Sequence, residues 1–255
     1  MDFIDAIILG VVEGVTEFLP VSSTGHLILV SKLLQLPETD FLKTFQIAIQ
    51  LGAILAVVVL YFRKLFLEWE MMKRIAVALL PALGVGFLFY ADIRKLFESE
   101  LTVVVMLGIG GVAIILFEVL HKHKEEVVTD LMTLPYRIVL SIGVFQTLSV
   151  VPGVSRAAAT ILGGLWLGLT RTAIVEFSFL LAVPTMVAAT TLDLVKHGHL
   201  FSREDFHLLA IGFVVSFAVA LAAVKFLLRF VESRTFIAFG VYRILIALCF
   251  FVFVL

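Results

Sequence analysis

Six apolar runs, near residues 43–62, 75–91, 101–120, 174–193, 207–230 and 236–255, meet or approach the length at which a helix crosses a bilayer. A helix rises about 1.5 Å per residue, so roughly 20 residues cover a hydrocarbon core about 30 Å thick. A chain with this many such runs folds in lipid, where each backbone polar group must be satisfied inside its own segment and helices are the natural solution. Composition agrees, with 62% hydrophobic and 15% charged residues and a mean hydropathy of +1.15, far from the average of a soluble domain. The expectation is an all-α integral membrane protein. The formal net charge of −1 and the lack of a basic run argue against a nucleic-acid partner. Met1-Asp2-Phe3-Ile4-Asp5 has no cationic stretch of the signal-peptide kind, so the N-terminus is expected to be retained. The single cysteine, Cys249, sits in the last apolar run and reads as a packing residue; no intrachain disulfide can form.

Four shorter runs stand apart from these six. Runs 3–19 and 24–36 flank Pro20-Val21-Ser22-Ser23, and runs 138–151 and 157–169 flank Pro152-Gly153-Val154-Ser155. Each pair reads as a re-entrant helical hairpin. Broken backbone at membrane depth is tolerated where protein or a wet cavity surrounds it, which marks both breaks as candidate sites. The expected fold is six transmembrane helices plus two re-entrant hairpins in one membrane domain, residues 1–255.

The two hairpins also suggest an internal repeat. Taking Pro20 and Pro152 as equivalent gives an offset of 132, which pairs Ser23 with Ser155, Phe45 with Phe177, Gly52 with Pro184 and Ala56 with Ala188. An offset one larger pairs Gly10 with Gly143 and Glu13 with Gln146. The halves are then 1–120 and 133–255, each with one hairpin and three crossings. Because three is odd, the second half is inverted relative to the first, and inverted repeats bring broken helix tips together near the midplane. Under this topology one side carries Arg63, Lys64, Lys73, Arg74, Lys122, Lys124, Arg137, Arg171, Arg229 and Arg234, and the other Lys32, Lys43, Arg94, Lys95, Lys196 and Arg203. The richer side is expected to be cytoplasmic, with both termini outside.

The polar residues of the breaks carry the chemistry. An ionisable group in the bilayer interior costs about 2.5–3.5 kcal/mol on insertion scales, so Glu13, Glu17 and Arg156 each need a partner, water or a ligand. Glu13 and Glu17 are four residues apart and share a helix face. Their mutual repulsion would be relieved by Arg156 or by a hard divalent cation, Mg²⁺ or Ca²⁺, completed by water and substrate phosphate. The bland alternative is one neutral interior acid. After Pro20, Ser22, Ser23 and Thr24 open the second half-helix, where hydroxyls cap free amides and those amides can face an anion. His26 lies three residues beyond Ser23, so one can serve as nucleophile while the other moves protons, or His26 can attack phosphorus itself. The alternatives are ordinary capping and a structural histidine. In the second break Ser155 can cap a half-helix that begins with Arg156, with Thr160 one turn on. A guanidinium beside free helix amides suits a phosphate group. The same arginine can pair with a glutamate of the first hairpin until substrate arrives.

Other polar positions read as structural. Gln50, Gln146 and Glu176 are expected to stitch helices together. His121-Lys122-His123 and His197-Gly198-His199 fall in expected loops without further ligands, and Arg243 is expected either to snorkel or to anchor the second half.

The string from Gly10 through Glu13, Glu17, Pro20, Ser22, Ser23, Thr24 and Gly25 to His26, together with Pro152-Gly153-Val154-Ser155-Arg156 and Glu176-Phe177-Ser178-Phe179-Leu180-Leu181-Ala182-Val183-Pro184, closely resembles the undecaprenyl-diphosphate phosphatase family, the bacitracin-resistance proteins. The resemblance spans essentially the whole chain. It implies hydrolysis of undecaprenyl diphosphate to undecaprenyl phosphate and inorganic phosphate, recycling the lipid carrier of cell-wall synthesis, and resistance to bacitracin. It further implies a divalent metal, the bacterial inner (plasma) membrane and a site facing the periplasm. The family's acidic motif falls on Glu13 and Glu17, its serine and histidine on Ser23 and His26, and its phosphate-binding motif on Pro152, Gly153, Ser155, Arg156 and Thr160. One departure is visible: Ala157 and Ala158 stand where members often carry Ser and Gly after the arginine, so a second serine is dispensable or replaced here.

The expected reaction has Glu13 and Glu17 holding a cation against the diphosphate, and Arg156 with the half-helix amides binding its terminal phosphate. Ser23 attacks and His26 handles the proton, with the reverse assignment or attack by water left open. The rival reading is a secondary transporter or lipid flippase, since inverted repeats and broken helices serve carriers equally well. No motif bears on a homodimer, which is compatible with so compact a bundle.

Overall fold

The computed structural model describes residues 1–89, 92–93, 96, 99–121, 130–197 and 203–253, all helix, turn or loop. Arg94, Lys95, Lys122, His123, Lys124, Gly198 and His199, which entered the readings above, lie outside the described residues, as do the side chains of Lys196, His197 and Arg203. Eleven α-helices are described: α1 (Phe3–Thr16), α2 (Ser23–Leu33), α3 (Asp40–Leu60), α4 (Phe62–Phe66), α5 (Trp69–Leu88), α6 (Glu100–Leu120), α7 (Tyr136–Thr147), α8 (Arg156–Trp166), α9 (Arg171–His197), α10 (Arg203–Val231) and α11 (Ile237–Phe253).

Local chemistry sets the helix starts. Asp2 and Asp5 form a reciprocal capping box at α1, with each carboxylate accepting the other residue's backbone N–H. Thr39 and Ser99 accept the N–H of Leu42 and Thr102 at the starts of α3 and α6. Five helices are long and apolar enough to cross a membrane: α3, α5, α6, Arg171–Thr191 of α9 and Phe206–Val231 of α10. The last expected crossing, α11, has 17 described residues, a reach of about 26 Å. Phe87 is 86% exposed and Leu120 78%; side chains this apolar on an outer face call for lipid rather than water.

Close helix contacts rest on small residues. α1 crosses α10 so tightly that a Cβ on Gly14 would lie 2.6 Å from the Ser216 carbonyl oxygen, and one on Gly10 would lie 2.8 Å from that of Gly212. α7 lies on α5 in the same manner, with a Cβ on Gly143 falling 2.2 Å from the Ala78 carbonyl oxygen. With no hydrophobic drive between helices in lipid, such backbone approach supplies the packing. α3 packs on both α9 and α10, α6 packs on α11, and α1 with α2 and α7 with α8 form two packed pairs about the breaks.

Two of the three expected polar stitches, Gln146 and Glu176, join helices. Gln146 donates to the Thr185 hydroxyl at 3.3 Å, joining α7 to α9. Glu176 pairs with Lys64, joining α9 to α4. His121 stacks on Phe117, with ring centroids 4.2 Å apart, and lies 5.0 Å from Trp166; it is an aromatic packing group rather than the solvated loop residue expected.

Candidate active site

Both breaks turn on a serine with positive φ. Ser22 has φ 72° and ψ 92°, and Ser155 has φ 77° and ψ 118°. Such backbone costs a non-glycine residue about 1–3 kcal/mol and persists only where the surroundings enforce it. Each serine immediately precedes a half-helix, so Ser23 and Arg156 are the first residues of α2 and α8. Ser22 and Ser155 thus share one backbone conformation, 133 residues apart. The adjacent Gly153, at φ +92°, is a position only glycine fits: a Cβ there would lie 2.5 Å from the Val103 carbonyl oxygen.

The two helix-starting residues meet on one carboxylate. Ser23 Oγ donates to Glu17 Oε2 at 2.5 Å, and Arg156 Nη2 donates to Glu17 Oε1 at 2.8 Å. Glu17 and Ser23 are buried and the Arg156 side chain is 9% exposed, so the pair is largely shielded from water. Arg156 Nη1 donates to the Ser178 carbonyl at 2.9 Å, and its guanidinium sits 5.8 Å from the centre of the Phe18 ring. Phe18 in turn meets Phe179 edge-on at 5.3 Å. This arginine is held from three directions, which is the preorganisation a planar anion clamp needs.

Thr160 donates its hydroxyl back to the Arg156 carbonyl at 2.9 Å and shares a 2.6 Å hydrogen bond with Ser178 Oγ. Ser155 Oγ accepts the Ala158 N–H at 3.2 Å and caps α8. Ser22 is buried without a side-chain cap, and Thr24 is half-buried on the first turn of α2. Of the residues expected to take phosphate, Arg156 therefore presents side-chain donors beside Glu17, whereas Ser155 and Thr160 support the helix that carries it.

Glu13 lies one turn before Glu17. It is fully buried, and neither of its carboxylate oxygens has a hydrogen-bond partner among the described residues. Bare, hard oxygen donors beside a second carboxylate fit a divalent cation. Among the described residues no group of three or more His, Cys, Asp or Glu side chains converges, so most of the coordination shell would come from elsewhere.

His26 does not meet Ser23. Its Nδ1 lies 2.8 Å from the Ser22 carbonyl oxygen and its Nε2 lies 2.8 Å from the Tyr242 hydroxyl. The i, i+3 spacing put Ser23 and His26 on roughly one face, but the turn at Ser22 aims the hydroxyl at Glu17 instead. The group that accepts from the Ser23 hydroxyl is the Glu17 carboxylate, not the imidazole.

Three participants were not assigned a place in the site from sequence. Ser178 contributes through its carbonyl, which no sequence pattern reveals. Tyr242 arrives from α11, far along the chain. Arg243 is fully buried and does not snorkel: it donates to the carbonyls of Pro20 (3.2 Å), Val154 (2.9 Å), Gly153 (2.7 Å), Met106 (3.2 Å) and Leu107 (3.1 Å). One guanidinium thus ties both breaks to α6. The usable signal was an arginine inside an apolar run, where its charge demands acceptors.

Together these features define a polytopic helical membrane protein with a buried Ser–Glu–Arg constellation built from two broken-helix segments and suited to a phosphate group. The chain belongs to the bacitracin resistance protein BacA family, whose profile matches residues 6–249. It is similar to proteins named undecaprenyl-diphosphatase: 51% identical over 255 residues to that of Persephonella marina, covering 100% of both chains. It is 50% identical over 251 residues to that of Sulfurihydrogenibium sp., covering 98% of this chain and 99% of the relative. The Aquifex aeolicus protein is likewise 50% identical over 251 residues, covering 98% of each.

Proposed function

We propose that this chain is an undecaprenyl-diphosphate phosphatase, hydrolysing undecaprenyl diphosphate to undecaprenyl phosphate and inorganic phosphate and conferring bacitracin resistance. The observation that carries the chemistry is the convergence of Ser23 and Arg156 on Glu17. In the resting state Arg156 is neutralised by Glu17. An incoming terminal phosphate competes for the guanidinium through charge-assisted, bidentate hydrogen bonds, which frees the carboxylate to take the Ser23 proton. Ser23 Oγ then forms a bond to the terminal phosphorus as the bond from phosphorus to the bridging oxygen breaks, and undecaprenyl phosphate leaves. Glu17 passes the proton to the departing undecaprenyl phosphate and, again a carboxylate, takes a proton from a water that attacks the phosphoserine. The bond from phosphorus to Ser23 Oγ breaks, Glu17 returns the proton to Oγ, and inorganic phosphate leaves. Charge stabilisation by Arg156 and by the first amides of α2 and α8 supplies most of the acceleration.

Glu13 and Glu17 would hold a divalent cation, Mg²⁺ or Ca²⁺, which when bound neutralises diphosphate charge. Substrate oxygens and water would complete its shell. The bare oxygens of Glu13 support this reading.

The helices α1, α2, α7 and α8 have 14, 11, 12 and 11 residues, too short to span a core about 30 Å thick. That length, with their pairwise packing, supports two re-entrant hairpins beside six crossings. The reciprocal packing of α1 on α10 and α7 on α5, and the matched serines 22 and 155, support an inverted repeat of 1–120 and 133–255. The bacterial inner membrane with a periplasmic site is what membership of the family implies, and the Lys and Arg bias read above agrees with that orientation. A homodimer is compatible with the bundle; cross-linking in nanodiscs tests it. The carrier reading shares the packing but leaves the Ser23–Glu17–Arg156 constellation without a task.

Phosphate release from undecaprenyl diphosphate by purified protein, with and without EDTA, tests the function. Metal-dependent release by the wild type that collapses in Glu17→Ala and Arg156→Ala, with both variants folded, is expected. Absence of release from folded, metal-replete protein overturns the reading.

A further inference from the structure

The described site assigns no role to Tyr242, yet its contacts are specific. It lies on α11, is 40% exposed, and stacks on His26 with ring centroids 5.5 Å apart and planes 6° from parallel. Its hydroxyl is 2.8 Å from His26 Nε2. The other ring nitrogen, Nδ1, is 2.8 Å from the Ser22 carbonyl oxygen. A carbonyl only accepts, so Nδ1 carries a proton, and in the neutral ring Nε2 then accepts from the tyrosine. Which nitrogen of a histidine is protonated is set by the partner of the other.

The Ser22 carbonyl has a second donor, the His26 backbone N–H at 3.3 Å. It belongs to the residue whose φ of 72° turns the chain into α2 and presents Ser23 to Glu17. Backbone in that region relaxes unless it is held. The contacts thus form one chain, from the Tyr242 hydroxyl through the imidazole to the Ser22 carbonyl and the adjoining Ser23.

We infer that Tyr242 is a positioning residue of the site: the Ser22 carbonyl fixes His26 in the Nδ1-protonated form, the Tyr242 hydroxyl donates to Nε2 and holds the ring in place, and the imidazole so held fixes the turn that aims Ser23 at Glu17. The inference rests on the phosphatase reading for its kinetic consequence, and on geometry alone for the tautomer. It also gives His26 a task that does not require it to touch the reacting phosphorus.

Tyr242→Phe keeps the ring stack and removes one hydroxyl, so folding should survive; a thermal melt within a few degrees of wild type checks this. The test uses full-length protein in nanodiscs with ¹⁵N-labelled histidine, the His26 signals being identified by their loss in His26→Gln. Wild type should show His26 protonated at Nδ1 with Nε2 bare. In Tyr242→Phe Nδ1 should stay protonated on the Ser22 carbonyl while the Nε2 resonance shifts on losing its donor, and kcat should fall about tenfold, the order expected for one hydrogen bond, with KM within twofold. An unchanged Nε2 resonance in Tyr242→Phe, or an unchanged kcat, overturns the inference. If the wild type releases no phosphate, the phosphatase reading fails, and the nitrogen signals still decide the Tyr242–His26 lock.

Discussion

Ser23 and Arg156 occupy the first helical positions of two half-helices more than 130 residues apart, and they grip the two oxygens of the same Glu17 carboxylate. Each follows a serine at positive φ. Both partners of Glu17 are therefore set by one backbone device used twice.

Glu17 is the shared element, and replacing it should disable both partners. Glu17→Gln removes the base beside Ser23 and leaves Arg156 buried without its counter-ion, so phosphate release should fall by about 10²–10⁴-fold. Breaking a buried pair also destabilises, by about 3–5 kcal/mol, which a thermal melt reads separately. Activity within tenfold of wild type would contradict the role given to Glu17.

A covalent route through Ser23 leaves a mark. Substrate carrying ³²P in the terminal phosphate should label the wild-type chain on acid quench, Ser23→Ala should take no label, and His26→Gln should still take some. Label retained in Ser23→Ala would assign the nucleophile elsewhere.

Glu13→Gln addresses the cation. Losing a direct oxygen donor should raise the divalent concentration for half-maximal activity by at least the roughly 10–100-fold seen for weaker, outer-shell changes, with the saturating rate less affected. An unchanged metal titration would remove Glu13 from the metal site.

Two glycines test the packing. Gly14→Ala forces a Cβ to 2.6 Å from the Ser216 carbonyl and should cost about 1–3 kcal/mol, lowering the melting temperature. A Cβ on Gly84 meets nothing within 4 Å, so Gly84→Ala should be neutral or slightly stabilising. Equal effects would mean that the α1–α10 contact is not tight.

Much of this was legible from the chain because lipid leaves few options. Apolar length marked the crossings, and prolines inside hydroxyl-rich stretches marked the breaks. The cost of buried charge pointed from Glu17 to Arg156, and that pair is present. What escaped depended on backbone geometry. The positive φ of Ser22 turns Ser23 onto Glu17 rather than His26, a contact that counting residues along an ideal helix does not reveal. Arg243 escaped because its acceptors are carbonyls of three distant segments, and carbonyls carry no signature in the sequence.

That bracing gives another expectation. Arg243→Lys keeps the charge but offers three donors where five carbonyls now accept. At least two buried acceptors lose a partner, at about 1–3 kcal/mol each. The melting temperature should fall clearly, and both breaks should become protease-sensitive together. Loss of order at one break alone would contradict a shared brace.

The most direct measurement of the central claim, that the two breaks form one phosphatase site, is a double-mutant cycle on undecaprenyl diphosphate with Glu17→Gln, Arg156→Gln and their combination, each confirmed folded. Residues acting as one unit are strongly non-additive. The expected result is that the double variant is no slower than the slower single variant. Losses that multiply would mean that the two residues act independently and would contradict a single shared site.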